Sequence, residues 1–309
     1  MLSGCDRPPG ASTPTSLTLA TGSTSGVYYL LGTSLAQIYT SRVPGVRVTA
    51  TTTGASPYNV QALDDGTADI AFALGDVAYL AYAEGSQLKS GPHRQLRSMA
   101  VLYSNALQFV VLPTSRIRSL GDLVGTRLGN GVGATSLRRS RSVTVDLLME
   151  AHGVDSKTVD SRMMSFDEIM SGLRAQTLDV GVVSAGYPVP MIEAAARNGL
   201  RFLPVDRDAV ERVREKYPFF MPVVIPRNTY SGQATAIETV GMDNLLLCRQ
   251  GLNEDLVYRL TRTLFESLSD LALAHPSARM IDPDMASATP IPLHAGAARY
   301  YRERGLLLF

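Results

Sequence analysis

Three short loops in this 309-residue chain combine glycines with hydroxyl, amide and phenol side chains. In the first, a glycine turn begins at Thr21-Gly22 and ends at Tyr28-Tyr29. Its outline is similar to a nucleophile elbow, but threonine stands where that turn needs serine, and the four histidines are isolated in sequence. The phenols instead favour binding of a small organic ligand. Because neighbours on a helix point about 100° apart, one tyrosine is expected to line a cleft while the other packs.

The second loop starts a helix directly after a strand. Ser56 precedes Pro57, which predicts a hydroxyl N-cap followed by proline at the first helical position. The free N–H groups and the positive end of the helix dipole suit a carboxylate, and Asn59 in the same turn could add an amide contact. Plain capping without a ligand is the alternative. Asp76, at the start of the next helix, could receive a ligand's amino group or cap its own helix.

The third loop is glycine-rich and admits two interpretations. Gly129, Gly131 and Ala134 fit the G-x-G-x-x-A pattern of nucleotide-binding turns. That pattern also arises by chance in glycine-rich turns, and here it lies in the middle of the chain rather than in the first βαβ unit. The other interpretation is a helix start whose N–H groups, with the Thr135 and Ser136 hydroxyls, accept an anion.

Alternating strands and helices are predicted to position these loops. Strands are expected at residues 17–21, 46–52 and 69–74, and helices at residues 27–40, 56–65 and 76–84. This order indicates a mostly parallel sheet with helices on both faces. Ligands of such sheets bind at the carboxyl ends of the strands, and the loops named above follow those ends.

A second set of units is predicted farther along the chain. Strands are expected at residues 96–103, 107–112, 126–130, 179–184, 201–205, 223–225 and 238–249, and helices from residue 135, after residue 188, at 254–275 and at 295–303. Two α/β lobes joined by two crossing strands would form a clamshell. We place the crossings near residues 107–112 and within residues 223–249.

Composition narrows the class of protein. With 29 basic and 28 acidic residues the formal net charge is +1, which gives no electrostatic footprint for nucleic acid. No apolar run is long enough to span a bilayer, and the length suits two lobes better than a single core. His, Cys and acidic residues do not fall at metal-ligand spacings, so no metal or cofactor is expected.

The two cysteines have different expected roles. Cys248 lies in an apolar run and is expected to be a small buried hydrophobic residue. Leu2-Ser3-Gly4-Cys5 matches a bacterial lipobox, and a tether rich in Pro, Ser and Thr follows it. We therefore expect residues 1–16 to be a lipobox and disordered tether, with Cys5 lipidated. A chance tetrapeptide is the alternative.

Several blocks of the chain together carry a resemblance to a known family. The first two loops carry part of the resemblance, through Thr21-Gly22 to Tyr28-Tyr29 and through Gly54, Ser56 and Asn59. The other blocks are Asp76-Val77-Ala78-Tyr79, residues 119–125, Gly186-Tyr187-Pro188, Tyr217-Pro218-Phe219, Ile225-Pro226, residues 229–232 and residues 292–301. Together these blocks resemble the TAXI family, the solute-binding proteins of a class of TRAP transporters, and the similarity covers about residues 17–306.

The resemblance implies an α/β fold: a two-lobed periplasmic binding protein clamshell, type II-like, with a mostly parallel sheet flanked by helices in each lobe. We expect residues 17–106 and 240–309 to form one lobe and residues 107–239 the other. The resemblance further implies extracytoplasmic capture of a small organic solute by hinge closure and delivery to a TRAP-type membrane permease, without catalysis. An amino acid or a dicarboxylate, such as glutamate or 2-oxoglutarate, is the expected cargo.

Nine residues carry over from the family pattern as candidate ligand contacts. They are Thr21, Tyr28, Tyr29, Ser56, Asn59, Asp76, Thr135, Ser136 and Tyr187. Two other functions stay open at this point: a sensor lipoprotein with the same binding lobes, and an enzyme that uses a nucleotide at the Gly129 loop.

Overall fold

A computed structural model describes residues 14–22, 24, 26–85, 91–131 and 143–307. In the first part of the chain the elements are β1 (Thr15–Ala20), α1 (Val27–Arg42), β2 (Val46–Thr51), α2 (Ser56–Asp64), β3 (Ile70–Leu74), α3 (Gly75–Ala83), β4 (Leu96–Val111), β5 (Arg127–Asn130) and α4 (Val143–Ala151). The remainder forms β6 (Asp160–Met163), α5 (Phe166–Arg174), β7 (Val180–Ala185), α6 (Pro190–Ala196), β8 (Arg201–Leu203), α7 (Arg207–Arg214), β9 (Met221–Ile225), β10 (Ile237–Arg249), α8 (Glu254–Glu266), α9 (Leu268–Ala274) and α10 (Ala295–Glu303). The predicted alternation of strands and helices is confirmed.

All these strands join one sheet in the order β2-β1-β3-β10-β4-β7-β5-β6, with β8 beside β4 and β9 beside β10. The pairs β1–β2, β1–β3, β5–β6 and β5–β7 are parallel, as the βαβ order predicts. The long strands β4 and β10 run antiparallel to their neighbours and connect the two parallel groups. The α/β class is thus confirmed, and the sheet as a whole is mixed because two strands are shared.

Both shared strands change partners along their length. β4 pairs with β10 from Leu96 to Ala106 and with β7 from Ala106 to Val110. The prediction of two separate strands here is wrong. The polar residues Ser104 and Asn105, which lie between the two predicted strands, continue the pairing with β10. The Ser104 hydroxyl donates to the Asp243 carboxylate, and the side-chain amide of Asn244 donates to Asn105 Oδ1 over 3.2 Å.

The hydrophobic core is divided in the same way. One group of buried side chains joins β1, α1 and β3 to the C-terminal helices, through residues such as Leu19, Tyr39, Phe72 and Tyr301. Another group joins β4, α4, β7 and the segment before β9, through Phe109, Leu148, Val182 and Phe220 among others. Cys248 belongs to the first group and has no exposed surface, as predicted, and burial raises the pKa of its thiol.

The helix predicted at residues 254–275 is two helices. Ser267, between α8 and α9, leaves the helical conformation at φ −122° and ψ 16°. Its hydroxyl accepts a hydrogen bond of 2.7 Å from Arg42 of α1, and Arg42 also pairs with Asp270 at 2.7 Å. Docking against α1 therefore divides an amphipathic segment that would otherwise read as continuous.

The C-terminal block serves packing. His294 caps α10, since its Nδ1 accepts from Gly296 N at 3.1 Å, while its Nε2 lies 3.1 Å from the carbonyl oxygens of Gln250 and Leu252. Gly296 lies against α8, where a Cβ would come within 2.2 Å of the Glu254 carbonyl oxygen. This block therefore attaches the last helix to the fold.

Candidate ligand site

The carboxyl ends of β1, β2 and β3 meet at one edge of the sheet, where Thr21 lies. Thr21 has no exposed surface, and its hydroxyl donates to the Thr51 carbonyl at the end of β2 over 2.7 Å. Its own carbonyl accepts from the Asn59 side-chain amide at 2.6 Å and lies 3.0 Å from the Thr53 hydroxyl oxygen. The Thr21 side chain therefore holds strand ends together.

Asn59, in α2, is saturated by the same network. Its amide nitrogen also donates to the Phe72 carbonyl at 2.7 Å, and its amide oxygen accepts from the Thr53 hydroxyl at 2.5 Å. The side chain is fully buried. Because its polar atoms are engaged by the protein, Asn59 positions the ends of β1 and β3 beneath the loop that follows β2.

Tyr28 forms a polar cluster with Ser56 and Asp76 at these strand ends. Its ring stacks on Phe72 with centroids 5.2 Å apart, and its hydroxyl donates to Asn244 Oδ1 at 2.7 Å. Desolvation raises the pKa of the phenol, a hydrogen bond with the Ser56 side chain opposes that rise, and the Asp76 carboxylate adds to it. Tyr28, Ser56 and Asp76 therefore lie close enough together to interact, although they come from three different strand–helix junctions.

Ser56 does not cap its helix, contrary to the sequence prediction. The N-cap of α2 is Ala55, which makes no side-chain cap bond, and Ser56 is the first helical residue. The Ser56 hydroxyl instead accepts from Leu74 N at the end of β3 over 3.0 Å. The neighbouring strand end thus takes the acceptor that a cap would have used.

Asp76 reaches across to the other half of the sheet. One carboxylate oxygen accepts from Val77 N at 2.7 Å, and the other accepts from the Thr144 hydroxyl, in the first turn of α4, at 2.6 Å. Both residues are buried, and desolvation raises the pKa of Asp76 while these hydrogen bonds oppose the rise. This bond joins the first turns of α3 and α4.

Two candidate tyrosines lie away from this cluster. Tyr29 lines a groove of about 480 Å³ between α1 and the edge strand β2, together with Thr33, Gln37 and Arg47. Tyr187 follows β7, and its hydroxyl lies 3.5 Å from the Val224 carbonyl on β9. Tyr28 and Tyr29 thus face different surroundings, as the helical geometry predicts.

The glycines of the third loop make close packing contacts. A Cβ on Gly131 would come within 2.7 Å of the Phe166 ring, and one on Gly129 within 2.6 Å of Leu178. These two glycines let α5 and its following turn approach β5, which explains the nucleotide-like pattern without a nucleotide. Thr135 and Ser136, like Cys5, lie outside the described residues. Within the described ranges, no group of three His, Cys, Asp or Glu side chains could hold a metal.

Sequence reasoning missed three polar residues at the cluster or at the facing strand ends. Asn244 interrupts a buried apolar strand, and that interruption was a usable signal. Thr144 had none, since it stands between two valines at the start of α4. Ser184, near the end of β7, has a buried hydroxyl for which the described part of the chain offers no hydrogen-bond partner.

Two parallel α/β groups joined by two shared strands, with polar side chains where the groups meet, define the architecture of a two-lobed solute-binding protein. The chain belongs to the NMT1-like family, whose model matches residues 19–305. The narrower TAXI assignment stays a prediction.

Solved structures share the fold at low sequence identity. The protein XAC2383 of Xanthomonas citri, bound to chloride, is 16% identical with a TM-score of 0.57, over 93% of this chain and 99% of that one. The same protein bound to ATP gives 15% and 0.56, over 94% and 99%. A TctC solute-binding protein from Polaromonas is 15% identical with a TM-score of 0.57, over 96% and 97%. The TctC protein is a binding protein rather than an enzyme.

Proposed function

We propose that this chain captures a small organic solute outside the cytoplasm, by closing its two lobes, and delivers it to a TRAP-type membrane permease. Binding proteins of this kind bind small molecules and deliver them to membrane transporters. The observation that carries the proposal is the cluster of Tyr28, Ser56 and Asp76 at the strand ends of one lobe, facing Thr144 on the other. Strand ends at a junction between lobes are where such folds bind ligands.

The proposed lobe boundaries follow the points where the shared strands change partners. Residues 17–106 and 240–309 would form one lobe, and residues 107–239 the other. Ala106 pairs with both β10 and β7, and Gly241 pairs with both β9 and β4. The register between β10 and β4 shifts between Asp243 and Leu245. An irregular pairing at both crossings supports hinge bending there.

The chemistry of the described cluster favours a ligand with several oxygen atoms. The Tyr28 and Ser56 hydroxyls, which already bond within the protein, would share those bonds with a ligand. The Ser184 hydroxyl, near the end of β7, has no partner in the described part of the chain, and α2 and α4 both begin at this junction. These groups suit an amino acid or a dicarboxylate such as glutamate or 2-oxoglutarate. Thr135 and Ser136 complete the proposed contacts from the loop after β5.

A position at the outer face of a membrane fits the same proposal. We propose that Cys5 carries a lipid, which would keep the binding lobes near the permease. None of the helices that the structure describes is long and apolar enough to cross a bilayer.

The proposal is tested by thermal unfolding of refolded, ligand-stripped protein in the presence of single solutes. The panel would hold amino acids, dicarboxylates, 2-oxoacids, sulfonates and nucleotides. A ligand at a hundred times its Kd adds about 2.7 kcal/mol of stability, which gives a clear rise in Tm. Saturable stabilisation by one small acid is expected, and titration calorimetry should then give one site per chain.

Two results would contradict the proposal. Stabilisation by nucleotides alone would favour a nucleotide site at the Gly129 loop instead. Nucleotides belong in the panel because XAC2383 binds ATP. An equal fall in affinity in Tyr28→Phe and in the matched variant Tyr29→Phe would show that the solute does not bind at the cluster.

A further inference from the structure

The hydrogen bond between Thr144 and Asp76 joins two separate hydrophobic cores. Asp76 lies in the first turn of α3, whose Ala78 and Ala81 pack with Val60, Ala71 and other residues of the first lobe. Thr144 lies in the first turn of α4, whose Val145 and Leu148 pack in the core of the second lobe. A bond between the two helices forms only when the lobes lie together.

Aromatic packing reinforces the same contact. Tyr79, one helical turn after Asp76, lies 5.6 Å from Phe219 by ring centroids, and Phe219 belongs to the core of the second lobe. At the start of α3, a Cβ on Gly75 would lie 3.9 Å from Phe219. The first two turns of α3 therefore contact the opposite lobe through both polar and apolar atoms.

Neither carboxylate oxygen of Asp76 is free of protein hydrogen bonds in this arrangement. Val77 N holds one oxygen and Thr144 Oγ1 holds the other, both at less than 3 Å. A hydrogen bond to a carboxylate is stronger than one between neutral groups, and burial removes competing water. Receiving a ligand's amino group would require Asp76 to give up or share one of these bonds.

We propose that Thr144 and Asp76 form a closure latch, a hydrogen bond that holds part of the ligand-free population closed. The same bond keeps Asp76 in position beside Tyr28. This inference rests on the proposed function only in that the two lobes move relative to each other. It assigns Asp76 to lobe closure rather than to direct contact with the solute. Thr144 is its donor and a positioning residue.

The test measures the distance between the lobes without any solute. Spin labels are attached at Thr67→Cys and Lys157→Cys, two exposed positions on opposite lobes, in a Cys5→Ser background. Pulsed electron paramagnetic resonance then measures the distance between the labels, which shortens when the lobes close. Cys248 has no exposed surface, so it stays unlabelled. The parent should show a closed component, and Thr144→Val should lower its closed-to-open ratio about ten-fold, the effect of losing one charged hydrogen bond.

Matched variants separate the latch from general stability. Thr144→Ser keeps the hydroxyl and should restore the closed component. Thr261→Val removes a buried hydroxyl bond within α8 and should leave the distances unchanged. Unchanged distances in Thr144→Val, or no closed component in the parent, would overturn the latch. So would an Asp76→Asn variant that loses affinity for amine-bearing probes alone while its ligand-free distances match the parent. The readout needs no ligand, so a failed solute screen and a failed latch remain distinguishable.

Discussion

The hydroxyl of Tyr28 donates to the side-chain amide oxygen of Asn244 across 2.7 Å, although 216 positions separate the two residues. Asn244 in turn donates to the Tyr103 carbonyl at 2.8 Å on the neighbouring shared strand. The first helix of the candidate site is thereby attached to both strands that connect the lobes. A ligand that moves Tyr28 would act directly on the proposed hinge.

Tyr28→Phe should lower both stability and ligand affinity. The variant leaves the buried Asn244 oxygen without its donor, which costs about 1–3 kcal/mol in the free energy of unfolding. If the proposed site is correct, affinity for the solute should fall about ten-fold as well. Urea unfolding and calorimetry measure the two effects. Tyr29→Phe, next in the chain, should change stability by less than about 0.5 kcal/mol, and equal losses in both variants would argue against the bond.

Asn59→Asp should be severely destabilising at neutral pH. The new carboxylate would face the carbonyl oxygens of Thr21 and Phe72, now 2.6 and 2.7 Å from the amide nitrogen. An unpaired charge at a fully buried position costs about 3–5 kcal/mol. The matched amide-to-carboxylate change Gln37→Glu, at an exposed position of α1, should cost no more than about 0.5 kcal/mol. Comparable unfolding midpoints for the two variants would show that Asn59 does not bridge the strand ends.

Gly296→Ala should prevent α10 from docking. Its Cβ would lie 2.2 Å from the Glu254 carbonyl oxygen and 2.7 Å from Tyr258 N, both backbone atoms of α8 that cannot rotate away. We expect a loss of about 3 kcal/mol or more in the free energy of unfolding. Gly251→Ala places its Cβ where no atom lies within 4 Å, so it should be nearly neutral. Similar Tm values for the two variants would be incompatible with this packing.

Ala55→Gly should stabilise the protein. Ala55 has φ 63° and ψ −149°, a backbone conformation that an alanine adopts only with strain of about 1–3 kcal/mol. Glycine relieves that strain and loses part of the gain to its greater freedom when unfolded, which leaves a net gain of about 1 kcal/mol. Ala62→Gly, within the same helix, should instead lose about 1 kcal/mol. Chemical unfolding should therefore shift in opposite directions for the two variants.

Burial of His294 should make the protein less stable in acid. Desolvation lowers the pKa of this imidazole, so the unfolded chain takes up a proton more readily than the native one. The stability present above the unfolded pKa of about 6.5 is lost as pH falls from there towards the lower native pKa. His294→Asn keeps a capping acceptor but cannot titrate, so the fall in stability from pH 7 to 5 should be smaller in this variant. His275, whose pKa desolvation also lowers, contributes to the fall in both proteins. Equal slopes in urea unfolding would contradict the prediction.

Much of the architecture was readable from local patterns. Runs of β-branched residues marked β2, and the alternation of strands and helices gave the correct α/β class. The apolar run around Cys248 predicted its burial. Ser267 and Ser56 show where local patterns fail, because a bond to another element replaced the conformation or the cap that their neighbours favoured.

The sequence by itself determined the strands β1 to β3 and the helices α1 to α3, because hydrophobic periodicity and turn residues act over a few positions. It also brought Thr21, Ser56 and Asp76 to the strand ends, since those loops follow β1, β2 and β3 directly. Only the tertiary structure decided that Tyr28 meets Asn244 and that Asp76 meets Thr144. Each of those pairs depends on how β4 and β10 are inserted between the two parallel groups of strands. That arrangement is set by packing of the whole chain, which no local pattern encodes.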